Sequence, residues 1–254
     1  NLWRAPYFSV FRVNSAIRAI NDNPDFENAE LRIAELKVLR AHFYFEAMKN
    51  FGSFVYLDEN TPVDQVASIE NSFDATFLWG KIEGDLNAAI PVLPETQPEL
   101  GRVNKLVAYA FLAKAKLFQG EWEDVITNAN RVIAGPYRLV DDLEKLYSTP
   151  GYGNPENVFA IQYSIEDGSE FGNLDFGSLL NSPDSPSDDS NHPYLYGDDF
   201  DKPSQNIVNA FKVDANGLPL LDTYNNADLE PRDTATPVDP RLDHSIGRPG
   251  ITWK

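Results

Sequence analysis

Six aspartates, Asp184, Asp188, Asp189, Asp198, Asp199 and Asp201, fall within Ser182–Asp201, a stretch that has no lysine or arginine. Clustered carboxylates are the ligand chemistry of calcium, a hard cation that takes oxygen donors. The spacing is not that of an EF-hand loop, so the run reads as a solvated acidic loop. No cofactor is expected, and calcium, if it bound, would order the loop rather than perform chemistry. His42, His192 and His244 show neither HExxH spacing nor clustering, and there is no phosphate-binding glycine loop or G-x-S-x-G elbow. His42 stands among the aromatics of a helix and reads as a packing residue. Cleavage of a glycosidic bond needs two carboxylates at a set separation, and nothing in the placement of 39 acidic residues singles out a pair. No catalytic or metal-binding residue is assigned, and the chain is not read as an enzyme.

The elements that would position a site follow from apolar periodicity. Pro6–Ile20 reads as a helix with Phe8, Phe11, Ile17 and Ile20 towards one side, stopped at Asn21–Pro24. A long helix over Asn28–Asn50 takes Leu31, Leu36, Leu39, Phe43 and Ala47 as its core stripe, with Gly52 as its left-handed cap and Phe54–Leu57 as an extended exit. Ser72–Ile90 follows, with Phe73, Phe77, Leu78, Ile82, Leu86 and Ile90 expected to be buried before Pro91 and Pro94 end it. Lys105–Gln119 and Glu121–Ala134 form an αα-hairpin broken at Gly120. It is apolar at Leu106, Tyr109, Ala110, Ala113 and Leu117, then at Trp122, Val125, Ile126, Ala129 and Ile133. Leu112, Gly120, Trp122, Val125, Ala129 and Pro136 match the small and bulky positions of a tetratricopeptide repeat. Trp79, Tyr109, Phe111 and Trp122 are expected in the core.

The fold class is therefore mainly α. Residues 1–134 are expected to stack as tetratricopeptide-like antiparallel helix pairs, because no single pair buries both its faces. Residues 135–254 are expected to be a loop-rich part of the same fold, with short strands at Asn157–Tyr163 and Leu220–Tyr224. That second part holds 12 of the 18 prolines and 21 Asp and Glu against 8 Lys and Arg. The whole chain carries a net charge of -18, which disfavours nucleic acid and anionic lipid alike. There is no cysteine, so disulfide and thiolate chemistry are excluded within these 254 residues. No apolar run approaches the ~20 residues that span a bilayer. No signal peptide is visible, and Asn1 is read as the start of a fragment that lacks its natural beginning and its natural end.

Five stretches in chain order carry a resemblance: Leu39–Phe45 leading to Asn50–Gly52, Gly101–Lys105, Lys202–Phe211, Asp214–Leu220 and Asp239–Asp243. Together they resemble the SusD/RagB family of Bacteroidetes outer-membrane glycan-binding lipoproteins. The resemblance implies a cell-surface protein that holds an oligosaccharide or polysaccharide for a TonB-dependent, SusC-like transporter, to which the helical half would dock. It also implies a lipid anchor on a cysteine upstream of Asn1, the chain's sole attachment to the membrane. A polysaccharide-degrading enzyme and a tetratricopeptide-type protein-interaction scaffold are the alternatives.

Under that resemblance the informative aromatics are those outside helical periodicity, since sugars present flat C–H faces to rings and hydroxyls to polar loop residues. Tyr194, Tyr196, Asp198 and Phe200, with Trp3 and Tyr224, are the expected ligand-binding residues; Tyr7, Tyr152, Phe171 and Trp253 are further ring positions. In an extended His192–Phe200 run, Tyr194 and Tyr196 would share a face and form a platform. The family places its binding residues in variable loops, so its motifs transfer none of them individually.

Overall fold

The computed structural model describes residues 3–71, 73–99, 101–146, 153–161 and 203–252. They fall into two compact units, residues 1–139 with 153–161, and residues 140–152 with 162–254.

The first unit is a run of helices in which each packs on the one before it: α1 (Arg4–Asn21), α2 (Ala29–Phe51), α3 (Ala75–Ala89), α4 (Lys105–Gln119) and α5 (Trp122–Ile133). Their ends follow from local chemistry. Asp74 and Asn104 cap α3 and α4, accepting the backbone N–H of Phe77 and Val107 at 3.0 Å each. Gly52 and Gly120 close α2 and α4 at φ +69° and +76°, in the left-handed region open to glycine. A 3-10 segment, Val63–Ser68, lies between α2 and α3.

The core centres on α2. It buries one stripe, Ala34, Val38, Ala41, Phe45 and Met48, and a second one, Arg40, Tyr44 and Ala47, about 100° round at the helical period. Two stripes are needed because α2 is flanked by α1 and α3. The single expected stripe was therefore displaced: Ala47 is buried, whereas Leu31, Leu39 and Phe43 pack only partly on the core. α1 buries Val10, Val13, Ile17 and Ile20, a 3-4-3 spacing that leaves Phe11 58% exposed and Phe8 exposed as well. Leu78, Ile82 and Leu86 of α3 are buried as expected, but Phe73 precedes the Asp74 cap and is exposed, and so is Phe77. Trp79 and Phe111 pack against the core, and His42 stacks on Phe111 at 5.1 Å, with burial pushing its pKa down.

The hairpin α4–α5 keeps its expected limits to within a residue, but α5 is mostly uncovered. Val125, Asn128, Ala129 and Val132 are the sheltered positions, and Trp122, expected in the core, is 63% exposed beside exposed Ile126 and Ile133. Residues 157–161 form no strand; Val158 and Phe159 instead rest on the helical core, with Phe159 edge-on to Phe111 at 5.9 Å.

The second unit contains α6 (Leu143–Leu146), α7 (Gln205–Ala210) and α8 (Leu242–Ser245) among the described residues. Its small core is Leu229, Leu242 and Ile246, backed by Val208, Phe211 and Val238. Extended pairing among the described residues of this unit amounts to two isolated bridges, Lys212 with Val238 and Val213 with Pro219. Leu220–Tyr224 is a turn closed by Tyr224 N–H on the Leu220 carbonyl at 3.0 Å, not the strand that its apolar start suggested.

Candidate functional site

Among the described residues, the segment after α2 is held by side chains of α1 and α2. The Tyr7 hydroxyl accepts the Val55 N–H at 2.7 Å and donates to the Val55 carbonyl; the Tyr44 hydroxyl does both for Leu57 at 2.7 Å each. A phenol that donates and accepts thus replaces the neighbouring strand that alternate residues would otherwise need. Burial pushes both phenols' pKa up, so they stay neutral donors. Asn14 donates to the Leu57 carbonyl at 3.0 Å and Arg18 to the Glu59 carbonyl at 3.2 Å. Arg40 closes the arrangement, pairing with both Asp85 oxygens at 2.7 Å, with Asn14 at 2.8 Å and with Glu59.

This pinned segment and α1 enclose a cleft of about 330 Å³, within the usual size of a small-ligand site. Tyr7, Val10, Phe11, Leu57, Val63 and Val66 supply its apolar lining. Asn14, Arg18, Asp58 and Thr61 supply the polar one. The Asp58 carboxylate is oriented by the Asn60 N–H at 3.0 Å and the Thr61 hydroxyl at 3.1 Å. Next to the cleft, Trp3 lies 5.2 Å from Tyr7 and meets Phe51 edge-on at 4.7 Å. Trp3 is 43% exposed, so part of its ring is open to solvent.

Of the expected ligand-binding residues, Trp3 thus belongs to a ring cluster in the first unit. Tyr224 lies half-buried in a turn of the second, its hydroxyl donating to Asn206 Oδ1 at 3.4 Å. Tyr194, Tyr196, Asp198 and Phe200 lie outside the described residues, as do Tyr152, Phe171, Trp253 and the aspartates of Ser182–Asp201. Among the described residues, no three His, Cys, Asp or Glu are grouped to hold a metal ion, and no helix is long and apolar enough to cross a membrane. Sequence reasoning missed the cleft because it assigned Phe11 to the core. The signal was available: Phe8 and Phe11 fall off the 3-4-3 stripe of Val10, Val13, Ile17 and Ile20.

Residues 1–117 match a family model, SusD-like_3, described as "Starch-binding associating with outer membrane". A SusD-like protein of Bacteroides ovatus is 26% identical over 178 residues, 63% of this chain and 32% of that protein. Among solved structures, a SusD-like protein from Bacteroides fragilis superposes with a TM-score of 0.71 at 27% identity, covering 86% of this chain and 42% of its own. A laminarin binding SusD-like protein gives a TM-score of 0.64 at 25% identity, covering 73% of this chain and 46% of its own. The chain spans about a third of the length of the curated relatives that it matches.

Proposed function

Because this chain belongs to the SusD-like family, we propose that it binds oligosaccharide or polysaccharide at the cell surface, making and breaking no bond. The observation that carries the reading is the likeness to a laminarin binding protein at 25% identity over 73% of the chain. Surface rings beside oriented polar groups are the chemistry such capture requires. In the whole protein, the bound glycan would be handed to a TonB-dependent, SusC-like outer-membrane transporter, and a lipid anchor beyond these residues would hold the assembly to the outer membrane. The helical residues 1–134 would serve as scaffold and docking side. Residues 135–254 would add ligand-binding surface, with Tyr194, Tyr196, Asp198, Phe200 and Tyr224 as its contributors.

The test is native electrophoresis of the chain in gels containing laminarin, amylopectin or polygalacturonate, followed by assay for new reducing ends. Retardation by a neutral glucan without release of reducing ends is expected. Release of reducing ends would make the protein an enzyme, and migration unaltered by all three polymers would refute glycan capture. A protein-interaction scaffold is the second reading, favoured by the exposed apolar face of α5 at Trp122, Ile126 and Ile133.

A further inference from the structure

We propose that the outer face of α1 is itself a glycan subsite, in which Trp3, Tyr7 and Phe11 form a ladder of rings leading into the cleft, and Arg18 and Asp58, the latter oriented by Thr61, read hydroxyls there. The proposal rests on the glycan-binding reading above and adds the place and the ligand class, an uncharged oligosaccharide. The three rings stand at four-residue intervals, a rise of about 6 Å per step, close to one pyranose of an extended chain, with each step turning about 40°. Trp3 and Phe11 are 43% and 58% exposed, so both offer ring surface, while Tyr7 between them is fixed by its bonds to Val55. At the end of the ladder the Arg18 guanidinium is held by the Glu59 carbonyl and the Ser15 hydroxyl, two bonds from a group with five N–H donors. Among the described residues the Asp58 carboxylate is held through Oδ1, by the Asn60 N–H and the Thr61 hydroxyl, which leaves Oδ2 as an acceptor. Arg18 and Asp58 line one cleft with opposite charges. Their balance suits hydroxyls rather than sulfate or uronate groups, which the net charge of -18 also repels.

The experiment takes the neutral glucan, laminarin or amylopectin, that retards the chain and titrates its hexasaccharide by calorimetry into the parent and four variants. Trp3→Ala and Phe11→Ser should each weaken binding roughly 5- to 20-fold, the scale of one lost ring contact with its buried area. Thr61→Val should weaken it roughly 3- to 10-fold, the scale of one hydrogen bond, because it releases the Asp58 carboxylate that Thr61 orients. Phe8→Ala should bind like the parent, because that ring lies outside the cleft lining with Arg12 stacked over it at 4.3 Å. Melting curves establish that each variant is folded; if Phe11→Ser is not, Trp3→Ala and Thr61→Val decide. Parent-like affinity in both of those variants would overturn the subsite and leave glycan capture standing. A parent chain that binds neither glucan would overturn the subsite, and one that binds none of the three polymers would overturn both.

Discussion

Arg40 is the most deeply buried charged side chain among the described residues. It is 2% exposed, and its guanidinium meets Asp85, Glu59 and Asn14, so no charge in the group is buried unpaired. Removing one partner of such a set leaves the others uncompensated. Arg40→Met should therefore cost about 3 to 5 kcal/mol, read as a lower urea midpoint at unchanged slope. A loss below about 1 kcal/mol would mean that water reaches the group. Acid titration adds a second prediction. Burial opposes ionisation of Glu59, but the Arg40 hydrogen bond wins and holds its carboxyl below the usual range. Asp214 is held low by the N–H groups of Leu218 and Asn216, Asp233 by the Thr236 hydroxyl, and Asp239 by Arg241. A depressed carboxyl gives stability that is complete above its unfolded pKa, about 4, and is lost as pH falls through the folded value. Asp85, which burial pushes up against the pull of Arg40, works with the opposite sign but is one group against these four. The melting temperature should thus fall as pH drops below about 4, followed by calorimetry; a flat profile from pH 6 to 3 would contradict it.

At the scale of the element, the α4–α5 hairpin gives two contrasting expectations. A Cβ at Gly135, just past α5, would lie 2.6 Å from Leu106 Cδ1 and 3.0 Å from the Val132 carbonyl. Leu106 is buried, so Gly135→Ala should cost about 1 to 3 kcal/mol through overpacking, measured by thermal or chemical melting. Trp122→Ala, by contrast, should cost less than about 1 kcal/mol, because most of the ring already faces solvent. A larger loss would show that α5 is covered. The stretches that carry the family resemblance are explained at this scale too. Arg40 and Tyr44 pin the segment after α2, Asn104 caps α4, and Ser204 caps α7 by accepting the Ile207 N–H at 3.3 Å. These are positioning duties, which is why the motifs name the fold and no ligand contact.

For the molecule as a whole, the net charge of -18 bears on the proposed ligand class. A surface field of this sign repels anionic polymers over roughly a Debye length, about 8 Å at physiological ionic strength. Binding of a neutral glucan should therefore change little between low and high salt, as followed by calorimetry. Strong retention of polygalacturonate without calcium would contradict the expectation, since its uronates would have to approach a chain of net charge -18.

The helices were legible because their signals are local, glycines at Gly52 and Gly120 and a 3.6-residue period between them, whereas the Asp74 cap was passed over and α3 begins at Ala75 rather than at Ser72. The hairpin limits Lys105–Gln119 and the break at Gly120 followed from these alone. Which apolar residues lie inside was not local. Phe11 and Trp122 are as hydrophobic as Val10 and Leu112, and they are exposed because, among the described residues, no further helix packs closely on their side of α1 or α5. The role of Tyr7 and Tyr44 as substitutes for a strand could not be read from the sequence either, since it joins hydroxyls to backbone 48 and 13 residues away. Sequence by itself determined the mainly helical class and most helix ends to within a residue or two, which depend on neighbours within a turn or two, and the family resemblance, which rests on short local stretches. Only the tertiary structure decided the buried Arg40 network, the pinned segment and the cleft, because each is made by side chains that only folding brings together.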